Sequence, residues 1–179
     1  MNRLLMSACV TAALLTAPAY AMLNVGAKAP DFKARASIGG KQFDFALADA
    51  LKKGPVVLYF YPAAFTPGCT LEANNFAEAM DDFSKLGATV IGVSHDDIAT
   101  LDRFSLTECR SKFPVASDAD ARIMRSYDAM VGPNSTYASR TSYVISPAGQ
   151  IVYSYTNPDY SNHTANTMDA VKKLVGQGK

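Results

Sequence analysis

The sequence predicts an α/β domain in which helices flank a central mixed sheet, with extra strands on the N-terminal side. Three observations lead there. Pro55–Tyr61 (PVVLYFY) and Ala88–Ser94 (ATVIGVS) are near-continuous β-branched and aromatic runs, as expected of strands buried on both faces of a sheet. Each is followed by a segment with apolar residues at helical spacing. Near the end, Thr141–Ile145 and Gln150–Tyr155 flank Ser146-Pro147-Ala148-Gly149, two strands around a Pro/Gly turn.

Taken in order, Ala29-Pro30 and Gly39-Gly40 bracket a short strand, Asp31–Ile38, and the glycine pair turns the chain into a second, Lys41–Phe45. Leu47–Lys53 reads as a short helix. The PVVLYFY strand leads into a helix over Pro67–Leu86, with Leu71, Phe76, Met80 and Phe83 near helical spacing and Gly87 as its stop. After ATVIGVS comes a helix over Asp96–Lys112 carrying Ile98, Leu101 and Phe104. A short strand, Phe113–Ala116, and a short helix, Ala121–Tyr127, precede the hairpin. A last helix runs from about His163 to Val175, with Met168, Val171 and Leu174 at spacings of three. A β-α-β unit followed by a β-β-α unit is the layout of the thioredoxin fold. No repeat or long linker interrupts it, so one domain is assigned to 22–179.

The first 21 residues stand apart. Arg3 gives a positive start, Leu4–Ala17 is nearly free of polar side chains, and Ala19-Tyr20-Ala21 places small residues where a signal peptidase reads. That is the layout of a signal peptide, cleaved after Ala21. A membrane span needs about 20 unbroken apolar residues, and this run is shorter and broken by Pro18. The expected location is therefore periplasmic or secreted, with no stable membrane anchor after cleavage. Cys9 leaves with the leader. A lipid-modified Cys9 is the competing idea, but too few apolar residues precede it for a useful signal core.

With 179 residues and a formal net charge of +1, the chain has no basic stripe for nucleic acid. Outside the leader two cysteines remain, Cys69 and Cys109. In an exported protein a pair usually forms a structural bridge. The alternative lies in Tyr61-Pro62-Ala63-Ala64-Phe65-Thr66-Pro67-Gly68-Cys69-Thr70, where a buried strand gives way to a helix. Thr66 suits the N-cap and Pro67 the first helical position, so Cys69 falls third, inside the first turn. Unpartnered N–H groups and the positive end of the helix dipole favour a thiolate there. Cysteines so placed titrate below the free value of about 8.5, which makes them nucleophiles at neutral pH. The bland reading of Cys69 is a small buried residue between helix and sheet.

Pro62-x-x-x-Thr66-x-x-Cys69 resembles the signature of the peroxiredoxins, the thioredoxin-fold thiol peroxidases. The longer string YFYPAAFTPGCTLEA looks like their bacterioferritin-comigratory-protein or PrxQ branch. Ala29-Pro30-Asp31-Phe32, Val93-Ser94 with Leu101, Arg103 and Phe104, Ser117-Asp118 and Arg140–Ile145 are also similar, so the likeness runs from about Gly26 to the C-terminus. The resemblance implies that Cys69 attacks a hydroperoxide and becomes a sulfenic acid. Thr66 would aim its hydroxyl at the sulfur and the peroxide, and Pro62 would shield the pocket. Arg140 would stabilise the thiolate and the leaving oxygen, and Glu72 would orient Arg140. Otherwise Arg140 is an exposed strand cation and Glu72 lies on a solvated face. A dithiol protein resembling thioredoxin would be the reductant, and a monomer the working form.

The pattern also departs. Many members of the branch carry a resolving cysteine five residues after the first; here that position is Asn74. Others carry it in the helix after the second buried strand, where Cys109 is expected, about one turn later than usual. Cys109 is thus either the resolving cysteine or a buried structural thiol. Two rival functions stay open: a periplasmic thiol–disulfide oxidoreductase, which would need a C-x-x-C pair where Glu72 stands, and a non-catalytic secreted module stapled by a Cys69–Cys109 bridge. No cofactor is expected, since no phosphate loop, flavin fingerprint or haem-attachment motif is present. No metal site is expected either, since His95 and His163 lack partners at ligand spacing.

Overall fold

The computed structural model describes residues 22–176; the leader assigned to 1–21, Cys9 included, lies outside the described residues, as do 177–179. In chain order the elements are β1 (Lys33–Ile38), β2 (Lys41–Ala46), α1 (Leu47–Leu51), β3 (Val56–Phe60), α2 (Pro67–Lys85) and β4 (Thr89–Ser94). There follow α3 (Ile98–Thr107), β5 (Val115–Ser117), α4 (Arg122–Ser126), β6 (Thr141–Ile145), β7 (Ile151–Thr156) and α5 (His163–Gly176). The strands form one seven-stranded sheet in the order β2-β1-β5-β4-β3-β6-β7. β3, β4 and β5 run parallel, and β6 lies antiparallel to β3. This is a mixed sheet with flanking helices, the thioredoxin-like arrangement expected from the element order, with β1 and β2 as the extra N-terminal strands.

The side-chain period of two divides the core. Val56, Leu58 and Phe60 of β3 point to one face, joining Leu47 and Ala50 of α1 and Ile123 and Met124 of α4. Val57 and Tyr59, with Tyr61 just beyond the strand, point to the other, joining Phe76 and Phe83 of α2, Leu101 and Phe104 of α3, and Met168 and Val171 of α5. All five β3 residues are buried, which is why that stretch of sequence shows no polar alternation. Each large apolar side chain so buried contributes about 1.5–3 kcal/mol.

Two segments depart from the expected pattern. Leu71, placed on the apolar stripe of α2 by spacing, is 46% exposed, while Phe76, Met80 and Phe83 are buried. The helix over 96–112 stops at Thr107, so Cys109 lies just beyond α3 rather than inside it. The Cys109 N–H donates to the Phe104 carbonyl, and the Ser111 N–H to that of Ser105. Arg110 and Ser111 then adopt left-handed φ angles of 50° and 57°. Helices often end on such a residue, usually glycine; here no glycine marks the stop.

Tyr59 of β3 pairs with Gly92 of β4. The Tyr59 ring stacks on Phe76 at 4.5 Å between centroids. A Cβ built on Gly92 would lie 2.7 Å from the Tyr59 ring, so the glycine makes room for the ring. Gly92→Ala is expected to cost about 1–3 kcal/mol through overpacking. Thermal unfolding checks this: the midpoint should fall by about 2–4 °C per kcal/mol.

Candidate active site

The carboxyl ends of β3 and β4 hold the loop that enters α2. Tyr61 continues the β3 ladder by donating its N–H to the Val93 carbonyl. The Ala64 N–H donates to Asp96 Oδ2 at 2.8 Å, and the same oxygen accepts from Ser94 Oγ at 2.7 Å. Phe65 is left-handed, φ 63°, a conformation that costs a non-glycine residue about 1–2 kcal/mol. Its ring, partly exposed, packs edge-on against Phe104 at 5.2 Å.

α2 begins as the sequence predicts, with Thr66 at the N-cap, Pro67 first and Cys69 third. The Thr66 hydroxyl does not cap; it donates to the Ala63 carbonyl at 2.9 Å and makes no side-chain bond to the helix start. The first helical bond is Thr70 N–H to the Thr66 carbonyl. The Gly68 and Cys69 N–H groups therefore fall in the turn that lacks intrahelical partners. Pro62 is half-buried in the loop before the turn. Cys69 is 2% exposed, and both it and Cys109 are free thiols.

Arg140, the residue before β6, lies next to the carboxyl end of β3, and its side chain reaches this turn. It is 8% exposed. Its Nη2 donates to Cys69 Sγ at 3.5 Å, its Nη1 to Glu72 Oε2, and its Nε to the Pro158 carbonyl at 3.1 Å. The guanidinium fork is thus divided among a sulfur, a carboxyl and a main-chain oxygen. A fixed cation at that distance stabilises negative charge on the sulfur. Glu72 is fully buried, one helical turn after Cys69. Burial pushes its carboxyl up to about 8, against the downward pull of Arg140. Arg140 in turn is held firmly charged, the carboxyl and the sulfur outweighing its own burial.

Behind Glu72 stands a residue that the sequence offered only as the start of the last helix. His163 opens α5, fully buried. Its Nε2 lies 3.0 Å from the Asn157 carbonyl and its Nδ1 2.8 Å from Ser142 Oγ. The Nε2 proton therefore goes to the carbonyl and Nδ1 accepts from the serine. Nδ1 is also 3.8 Å from Glu72 Oε1. Burial pushes the imidazole down to about 4. Neither His163, Ser142 nor the 157–158 carbonyls were among the candidate site residues. The buried Ser in RTSYVI and the lone His at a helix start were the available signals, and neither reveals that the two meet.

Cys109 is fully buried in the same core cluster as Cys69. Burial pushes its thiol far up, so it rests neutral. Among the described residues no group of three or more His, Cys, Asp or Glu side chains is placed to hold a metal ion, and no helix is long and apolar enough to cross a membrane.

Residues 25–154 match the AhpC/TSA family. The chain is 33% identical over 127 residues to peroxiredoxin Bcp of Xanthomonas campestris pv. campestris, covering 68% of this chain and 79% of the relative. Its fold superposes on peroxidoxin BcpB from Mycobacterium tuberculosis with a TM-score of 0.77 at 26% identity, over 84% of this chain and 97% of that one. It also superposes on the trapped intermediate/ligand complex of the Xanthomonas campestris bacterioferritin comigratory protein, described for alkyl peroxide reduction. There the TM-score is 0.69 at 30% identity, over 79% of this chain and 91% of that one. With its strand-end cysteine facing a buried arginine, the chain belongs to the AhpC/TSA family, within its Bcp/PrxQ peroxiredoxins, and is a thiol-dependent peroxidase.

Proposed function

We propose that this peroxidase works through Cys69 and is recycled through Cys109. The observation that carries the first half is the Arg140 Nη2–Cys69 Sγ contact at 3.5 Å in the first turn of α2. The Cys69 thiolate attacks the distal oxygen of a hydroperoxide. An S–O bond forms, the O–O bond breaks, and the leaving alkoxide or hydroxide takes a proton. The products are a Cys69 sulfenic acid and an alcohol or water. Arg140 stabilises the thiolate and the charge growing on the leaving oxygen, while Glu72 and the Pro158 carbonyl hold its fork. Pro62 covers the sulfur. Thr66 turns its hydroxyl from the Ala63 carbonyl toward the bound peroxide.

Cys109 then attacks the sulfenic sulfur, an S–S bond forms, and water leaves. Both thiols start buried, and bridging requires their α-carbons to come within about 7 Å. The first turn of α2 and the left-handed stop after α3 are the places that open, since helix ends fray most readily. A thioredoxin-like dithiol protein reduces the disulfide and becomes oxidised in turn. Hydrogen peroxide and organic hydroperoxides are the substrates, the latter in keeping with the activity described for the Xanthomonas campestris protein. The enzyme acts as a monomer outside the cytoplasm, after cleavage following Ala21; the pattern of residues 1–21 supports that address.

Three outcomes test this cycle. Cys69→Ser should lose all but a few per cent of peroxide consumption with a dithiol reductant while keeping the circular-dichroism spectrum of the parent. Arg140→Ala should slow the peroxide step by about two to three decades, the equivalent of a few kcal/mol for a lost charge-assisted contact; stopped-flow rates matching the parent across pH 5–8 would remove the arginine from the mechanism. One equivalent of peroxide should cost the intact protein two hydrogens in mass, for a Cys69–Cys109 disulfide. In Cys109→Ser the same treatment should instead add oxygen, and excess peroxide should drive Cys69 to the sulfinic acid. Gain of one oxygen without a bridge in the parent would make this a one-cysteine enzyme with Cys109 as core packing.

A further inference from the structure

Glu72 presents an unusual arrangement of acceptors. Its Oε2 accepts a hydrogen bond from Arg140 Nη1, but its Oε1 is buried and has no hydrogen-bond partner among the described residues. What faces Oε1, at 3.8 Å, is His163 Nδ1. That nitrogen is itself an acceptor, because Nε2 donates to the Asn157 carbonyl and Nδ1 takes the Ser142 proton. If Glu72 were a carboxylate, its buried anionic Oε1 would face an electron-rich nitrogen, with no donor among the described residues to bond it. The charge count points the same way. Arg140 neutralises one anion, and a Cys69 thiolate already supplies it; an ionised Glu72 would leave the buried cluster with a net negative charge.

We propose that Cys69 and Glu72 hold a single negative charge between them, so that Glu72 is a neutral carboxylic acid, protonated on Oε1, while Cys69 is a thiolate, and ionises when the sulfur is oxidised. This rests on Cys69 being the reacting thiolate. Glu72 is then more than a strut for Arg140: it supplies the proton that balances the chemistry. The step at sulfur converts thiolate and hydroperoxide into sulfenic acid and alkoxide, and the alkoxide needs one proton to leave as alcohol. Once the thiolate charge is gone, Arg140 faces only the carboxyl, and the favoured state of Glu72 becomes the carboxylate. Its proton offsets the one the alkoxide consumes. Resolution by a neutral Cys109 thiol adds nothing to this balance, because the thiol proton departs in water.

The surroundings fit that order of events. The charged or titratable groups around the pair are Cys69 on its own helix, Tyr59 of β3, Arg140 before β6, Tyr155 of β7, whose ring centroid lies 4.8 Å from that of His163, and Asp159 in the loop before α5. His163 is a positioning residue. Burial and Arg140 keep it neutral, so it offers Oε1 no proton of its own, and at 3.8 Å it is too far to take one from there. Burial also raises the carboxyl to about 8 with the arginine in place, so the acid form is available at neutral pH. The sign follows: rising pH through that value ionises Glu72, neutralises Arg140 and withdraws its support from the sulfur.

The experiment counts protons. Wild-type enzyme and Glu72→Gln are each mixed with one equivalent of hydrogen peroxide near pH 7, in weak buffer with an indicator dye. Intact mass confirms that the sulfur was oxidised; if it was not, the assignment of the nucleophile fails rather than this inference. Glu72→Gln, which has no proton to release, should take up about one proton per sulfur oxidised, and the wild type markedly less, approaching none. Equal uptake by the two proteins overturns the proposal. Infrared difference spectra of the wild type alone provide the second measurement, should the variant fold poorly. Oxidation should remove a carboxylic-acid carbonyl band and add a carboxylate band; no acid band in the reduced protein overturns the proposal equally.

Discussion

One guanidinium ties this molecule's chemistry to its fold. Arg140 sits where β6 begins, and its fork reaches the α2 sulfur, the α2 carboxyl and the backbone of the loop between β7 and α5. These segments are far apart in sequence and are brought together only by the antiparallel pairing of β6 with β3. A shift of one residue in that register would turn Ser142 and Tyr143 to opposite faces. It would also carry Arg140 away from the helix start. The sheet is thus the ruler that sets the distance between cation and sulfur. The arginine can bear this role because its charge is permanent and its three donor directions are fixed by one plane.

The surrounding packing answers to the same need. Phe65 accepts a strained backbone angle so that the chain can leave β3 and start α2 with the cysteine in the first turn. Its ring rests on Phe104, which stacks on Tyr61 at 5.6 Å. The loop backbone is pinned separately through Asp96. Local strain of this kind persists only where several neighbours over-determine it. Here an aromatic ladder and a half-buried carboxylate bond do so.

The elements were legible because their patterns are strong. PVVLYFY and ATVIGVS are strands buried on both faces, and Thr66-Pro67 announces the start of α2 as capping chemistry requires. Cys69 was nameable from its strand-loop-helix setting, Glu72 and Arg140 through the peroxiredoxin resemblance, and the fold brings the arginine into contact with both partners. What stayed hidden depends on tertiary meeting points. The end of α3 rests on two non-glycine left-handed residues, Arg110 and Ser111, which local propensity disfavours. Leu71 has the helical spacing of a core residue but lies at the open start of α2. His163 gains its meaning only when Ser142, Asn157 and Glu72 arrive from three other segments, and no spacing rule within one segment foretells that.

The sheet separates two interiors, and among the described residues both thiols lie in the same one. The face covered by α1 and α4 contains no thiol and takes no part in the proposed rearrangement. It acts as a keel: β3 and β4 are sealed against it while the ends of α2 and α3 loosen on the other side. In the proposed cycle, conformational work would therefore be confined to one half of the molecule, and the aromatic and aliphatic side chains beneath the sheet would preserve the register from which the other half re-forms. Durability over many oxidation cycles would then be governed less by the residues around the sulfur than by how well this silent interior is filled.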